Sequence, residues 1–108
     1  MALITGNKNN FEEWIRKDGI IVEFRAPWCG YCKRLEPVLK QLVQEHPQMD
    51  ILQINIDDNE ELSERYDIET IPSVLVFHQG KPGELLVGPE AKAQLMTFLK
   101  EQNTAGIE

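Results

Sequence analysis

Apolar residues recur along this chain with two alternating periods. Residues 2–5 form a short apolar start that reads as an edge strand. Phe11, Trp14 and Ile15 follow at the i, i+3, i+4 spacing of one helical face, with Asn9 and Asn10 as a cap and Gly19 as a stop. Residues 20–24, Ile-Ile-Val-Glu-Phe, are continuous and β-branched, as in a strand covered on both faces. After a turn over 25–30, Tyr31, Leu35, Val38, Leu39, Leu42 and Val43 keep helical spacing up to Pro47. Pro37 falls inside that helix and is expected to kink it, because it has no N–H to bond back. Ile51, Leu52, Ile54 and Ile56 mark a strand, residues 59–66 a short helix, and residues 73–78 another strand. A tight turn over 79–83 leads to a hairpin partner at 85–87. Ala91, Leu95, Phe98 and Leu99 give a last amphipathic helix, and residues 103–108 read as a frayed tail.

The order β-α-β-α-β-α-β-β-α predicts an α/β fold. Alternation implies parallel crossovers and the closing hairpin adds antiparallel strands, so the sheet is mixed, with about five strands and four flanking helices. The length of 108 residues fits one domain over 1–108. The 42% apolar and 27% charged fractions exclude disorder and fibrous repeats. Charge narrows the partners: 11 Lys plus Arg against 18 Asp plus Glu give −7, which disfavours nucleic acid and anionic membranes. No apolar run approaches the ~18 residues of a membrane span, and the start lacks a signal peptide's basic, apolar and cleavage regions, so a cytoplasmic address is expected.

Cys29 and Cys32 are the only cysteines. A bridge between them closes a loop of about four residues and is worth only about 2 kcal/mol, the low end for a staple. Cys-x-x-Cys reads either as a redox centre or as half of a zinc site. Zinc needs four ligands, and the remaining soft donors, His46 and His78, share no ligand-like spacing, so the redox reading is favoured.

The segment Val22-Glu23-Phe24-Arg25-Ala26-Pro27-Trp28-Cys29-Gly30-Tyr31-Cys32-Lys33 resembles the active-site segment of thioredoxins and protein disulfide isomerase domains. Pro37 falls at the family's helix kink, Ile71-Pro72 at its cis-proline, Phe77-His78-Gln79-Gly80 at its hairpin, and Val87-Gly88 at its late glycine. The likeness spans nearly all of residues 2–102. It implies a thioredoxin fold and thiol–disulfide exchange. Cys29 would be the attacking thiolate and Cys32 the resolving thiol. Pro72 would lie opposite them in cis, with the backbone of Ile71 pairing a substrate strand. Trp28, Gly30, Tyr31 and Gly88 would complete the substrate surface. The resemblance further implies disulfide-containing protein substrates and a flavoprotein thioredoxin reductase as electron donor. It implies a monomer, no metal, and no bound cofactor beyond the redox-active Cys29–Cys32 disulfide.

The chemistry explains the residue types. A nucleophilic thiolate is favoured at a helix start, where free N–H groups and the positive dipole end lie. Lys33 and Arg34 add positive field, and Gly30 permits a tight entry. Glu23 is an acid within an apolar strand. A buried carboxyl there, whose pKa burial would raise, suits a proton acceptor for Cys32. Tyr31 fills the slot where proline marks thioredoxins and histidine marks eukaryotic isomerases; tyrosine after glycine also occurs in periplasmic isomerases of this fold. Lacking a histidinium there, the pair is expected to be somewhat more oxidising than a typical thioredoxin.

Three departures from the family pattern stand out. Gln53 replaces a lysine usual near the acid, Pro89 and Glu90 follow Gly88 where isomerases often carry arginine, and Arg25 replaces an aromatic. Arg25 is expected to pair with Asp57. The reading these features favour is a protein-disulfide reductase. Its rivals are an isomerase or oxidase of the same fold, a non-catalytic binding module using the same groove, and a cluster or metal carrier.

Overall fold

The apolar run at residues 20–24 becomes the centre of the sheet. The computed structural model describes residues 2–107. Along the chain lie β1 (Ala2–Gly6), α1 (Phe11–Ile15), β2 (Asp18–Arg25), α2 (Gly30–Glu45) and β3 (Asp50–Asn55). Then follow α3 (Glu60–Arg65), β4 (Ser73–His78), β5 (Lys81–Pro82), β6 (Leu86–Val87) and α4 (Lys92–Glu101). The strands line up as β1-β3-β2-β4, with β5 and β6 both on the outer side of β4. β1 and β2 run parallel to β3, whereas β4 runs antiparallel to β2. β1 is an edge strand, as its short apolar pattern predicts.

β2 is buried from Gly19 to Phe24 because it has strands on both sides and helices over both faces. Its period-2 alternation splits its side chains between two apolar layers. Ile21 joins Leu35, Leu39, Ile51, Leu95 and Leu99 beneath α2 and α4. Val22 and Phe24 join Phe11, Leu52, Leu62 and Phe77 on the α1 and α3 side. Glu23 shares parity with Ile21, and Gln53 shares parity with Ile51. Both polar side chains therefore enter the α2 layer, one strand apart in register.

Four local expectations are corrected. Asn10 occupies the N-cap of α1, but its side chain makes no capping bond to the helix. Its Oδ1 accepts the Asn7 N–H at 2.8 Å and its Nδ2 donates to Thr5 O at 3.1 Å, so it braces the preceding turn. Gly19 does not stop a helix: α1 ends earlier, and Gly19 sits inside β2 at φ +78°, where the register with β4 shifts.

The hairpin return is interrupted. Lys81 and Pro82 already pair with His78 and Phe77, the chain leaves the ladder, and Leu86 and Val87 pair with Val74 and Ser73. Six short strands thus occupy five sheet positions. Finally, residues 104–107 are docked rather than frayed. Thr104 is buried, the Ala105 N–H donates to Gly19 O at 2.9 Å, and Ile107 packs on the α2–α4 layer. Glu108 lies outside the described residues. No helix among the described residues is long and apolar enough to cross a membrane.

Candidate active site

Cys29 is the N-cap of α2, with extended backbone and its own sulfur as the capping acceptor. The Cys32 N–H points at Cys29 Sγ, 3.1 Å away. A cysteine thus takes the place that Ser, Thr, Asp or Asn usually fill. The same backbone donor and the helix dipole are available to stabilise negative charge on that sulfur. Cys29 and Cys32 form a disulfide with Cα atoms 5.2 Å apart. Their environments differ: Cys29 keeps 7% of its surface exposed, whereas Cys32 has none. Only the first is open to solvent.

The surroundings of the pair come from three distant segments. Ile71 packs against Ala26, Cys29 and Cys32. The Ile71–Pro72 peptide is cis, and Pro72 is buried. Gly88, at φ +56°, donates its N–H to Pro72 O at 2.8 Å. The Gly88 carbonyl accepts the Tyr31 hydroxyl at 2.8 Å. The Arg34 guanidinium lies over the Tyr31 ring at 5.3 Å. Tyr31 therefore ties the first turn of α2 to the loop after β6. Beside this tie runs a groove of about 360 Å³ lined by Tyr31, Arg34, Leu35, Val38, Pro89 and Glu90.

Trp28 stands out at 67% exposure, with its indole N–H donating to Asp57 Oδ2 at 2.9 Å. Asp57 is thus engaged by Trp28 and not by Arg25, whose Nε instead lies 3.9 Å from Glu23 Oε1. Parity explains the difference: Arg25 and Glu23 are two apart on one strand and share its face. Gly30 is not required by crowding within the chain, since a Cβ there would meet only Arg34 Nη1 at 3.5 Å. Its lack of a side chain leaves the surface beside Cys29 bare.

Glu23 is wholly buried on the central strand β2. Burial pushes its pKa up from the ordinary 4.5 to about 7, against the lowering effects of the Gln53 hydrogen bond and the Arg25 charge. Glu23 Oε1 accepts from Gln53 Nε2 at 2.9 Å, while Oε2 has no hydrogen-bond partner among the described residues. The same Gln53 nitrogen donates to Glu36 Oε1 at 2.9 Å. Sequence reasoning named Gln53 as a departure but missed Glu36. The available signal was its spacing: Glu36 lies four residues after Cys32, one turn along the same helix face.

The whole arrangement joins a helix-capping disulfide, a cis-proline opposite it and a buried acid on the central strand. A family model described as Thioredoxin matches residues 2–101. The chain belongs to the thioredoxin family. Within the family it is 34% identical over 100 residues to a thioredoxin of Staphylococcus haemolyticus, covering 92% of this chain and 96% of the relative. It is 35% identical over 95 residues to a thioredoxin of Chlamydia trachomatis, covering 88% and 93%. Its fold is also that of the oxidised mitochondrial thioredoxin 3 of Saccharomyces cerevisiae. That match has a TM-score of 0.81 at 21% identity and covers 92% of this chain and 94% of the other. The thioredoxin-family assignment and the Cys29–Cys32 disulfide make this protein a thiol–disulfide oxidoreductase.

Proposed function

We infer that this thioredoxin-family protein works as a reductase of disulfides in other proteins, with Cys29 as nucleophile and Cys32 as resolving thiol. The observation that carries these roles is the unequal burial of the two sulfurs at the start of α2. A substrate segment would lie along Ile71, whose backbone N–H and C=O have no hydrogen-bond partner among the described residues. Trp28, Gly30, Tyr31, Pro72 and Gly88 would border that segment.

In the reduced protein, Cys29 thiolate attacks one sulfur of the substrate disulfide. A Cys29–substrate disulfide forms and the first substrate thiolate leaves, taking a proton from water. Cys32 then passes its proton to Glu23, and its thiolate attacks Cys29 Sγ. The Cys29–Cys32 disulfide forms, the second substrate thiolate leaves, and two electrons have moved to the substrate. Glu23 accepts the proton at Oε2, the oxygen Gln53 leaves free. A carboxyl poised near 7 suits this exchange, because it is part ionised at working pH. Two electrons and two protons from a flavoprotein thioredoxin reductase would restore the dithiol. The protein would act as a cytoplasmic monomer without a resident cofactor.

Two measurements test this. Cys32→Ser should accumulate a mixed disulfide through Cys29, and Cys29→Ser should abolish both trapping and turnover; trapping through residue 32 would reverse the roles. The midpoint of the pair in defined thiol buffers, read by Trp28 fluorescence, should fall between about −270 and −230 mV, the range of a cytosolic reductant. A midpoint above about −200 mV would replace the reductase reading with an oxidase or isomerase.

A further inference from the structure

The α2 layer holds an arrangement of which the exchange scheme uses only one end. Gln53, in register with Glu23 across β2 and β3, directs its side-chain nitrogen at two carboxyl groups at once. Both bonds are 2.9 Å, and each ends on an Oε1. A carboxylate offers only acceptors, so the amide must turn its NH2 end to both, and its two N–H groups are then spent. One acceptor, Glu23, is fully buried on the central strand. The other, Glu36, is half-exposed on α2, one helical turn beyond Cys32. Two carboxyl groups on one nitrogen lie within about 6 Å of each other, close enough for like charges to disfavour joint ionisation. The remaining charged group facing Glu23 is Arg25, at 3.9 Å and with its Nε unbonded; β4 presents Val74 opposite.

We propose that Glu36 is a positioning residue for the proton-transfer step. Held to Glu23 through the Gln53 amide, it orients the buried carboxyl with Oε2 free and, by its charge, sets the pH at which Glu23 takes the Cys32 proton. The proposal rests on Glu23 being the acceptor in the exchange reaction. The direction follows from sign. Negative charge at Glu36 opposes negative charge at Glu23, so it keeps Glu23 protonated to higher pH, in the same direction as burial does. Arg25 opposes both. Glu36 also gives the network a solvent-facing end, which the buried carboxyl lacks by itself.

Two variants separate charge from hydrogen bonding. Glu36→Gln keeps an acceptor for Gln53 and removes the charge; Glu36→Ala removes both. The side chain is half-exposed on the helix surface, so both proteins should fold, as circular dichroism will verify. The Glu23 carboxyl carbon is followed by NMR through a pH titration of the reduced protein. Resolution of a preformed Cys29 mixed disulfide is timed over the same pH range. In both variants the Glu23 midpoint should fall by about half a unit to one unit, and the rise of the resolution rate should move down with it. An unmoved or raised midpoint in Glu36→Gln overturns the proposal, including the case in which only Glu36→Ala shifts it. Glu23→Gln tells this failure from failure of the underlying scheme. If resolution keeps its parental pH profile in Glu23→Gln, Glu23 is not the acceptor and both assignments fall. If that profile is lost while Glu36→Gln leaves the carboxyl midpoint in place, Glu23 stands and the role of Glu36 falls.

Discussion

Burial decides how strongly the acid at residue 23 holds its proton, and the Gln53 hydrogen bond offsets it only in part. An amide can donate to Glu23, but it brings no charge to offset the burial of a carboxylate. Replacing it by a cation should do so. In Gln53→Lys the Glu23 midpoint should drop from about 7 by a unit or more, seen by carboxyl NMR, because an opposite charge within hydrogen-bond reach favours ionisation. A midpoint still near 7 would mean that the new ammonium points away. Tyr31 acts on a different part of the site. Its hydroxyl bonds the Gly88 carbonyl, whose own N–H bonds Pro72 O. Tyr31→Phe should cost about 1 kcal/mol of stability, the usual net worth of one hydrogen bond. It should also speed amide exchange at Gly88 and raise KM for protein substrates more than it lowers kcat. Unchanged exchange at Gly88 would show that the loop does not depend on this tie.

Among the secondary-structure elements, the tail and β2 support each other. Gly19 takes a left-handed conformation, and a Cβ there would come within 2.4 Å of the Ala105 backbone nitrogen. Gly19→Ala should therefore destabilise by about 1–2 kcal/mol from backbone conformation alone, and more if the tail is pushed away. Deleting residues 104–108 removes the Ala105 bond to Gly19, the Thr104 bond to Leu99 O, and the packing of Ile107. Urea unfolding should then show a loss of about 1–3 kcal/mol. An unchanged midpoint would mean the docked tail contributes nothing to folding. Position alone marks this tail as terminal; its attachment depends on a glycine more than 80 residues earlier in the chain.

For the whole molecule, two groups tilt stability against alkaline pH. Glu23 has a folded pKa raised to about 7. The folded state therefore holds a proton that the unfolded chain has already released, and stability falls as pH climbs from about 4.5 to 7, by roughly 3 kcal/mol in all. His78 acts in the same direction. Its Nδ1 lies 2.6 Å from Asp18 Oδ1 and its Nε2 2.6 Å from Gln102 O, so both acceptors are satisfied only by the imidazolium. The Gln102 carbonyl first, and then Asp18, raise its pKa. Its contribution is complete below the unfolded value and is lost as pH rises through the folded one. Unfolding free energy should thus decline between pH 5 and 8. Glu23→Gln should be more stable than the parent at pH 8 and show a shallower decline. A parental slope in that variant would mean that Glu23 ionises without hindrance in the fold.

Local pattern along the chain was enough to place β1 through β4 and the four helices, the two-sided burial of the central strand, the helix that starts at the cysteines and the oddity of Glu23. Those features rest on local periodicity and on short spacings, where side-chain direction follows from i+2 or i+4 geometry alone. The sequence also pointed to the pairing of Ile71 and Pro72 with the cysteines, through the likeness of whole motifs. Which distant polar groups meet became visible only in three dimensions. Gln53 reaches both Glu23 and Glu36 because β2 and β3 lie in one particular register and α2 crosses over that face. Asp57 engages Trp28 because the turn after β3 ends beside the turn before α2, while strand parity turns Arg25 toward Glu23. The return strand breaks into two, and the tail docks on Gly19, for the same reason. Hydrogen bonds between groups far apart in sequence depend on angstrom-scale placement, which local hydrophobic pattern does not encode.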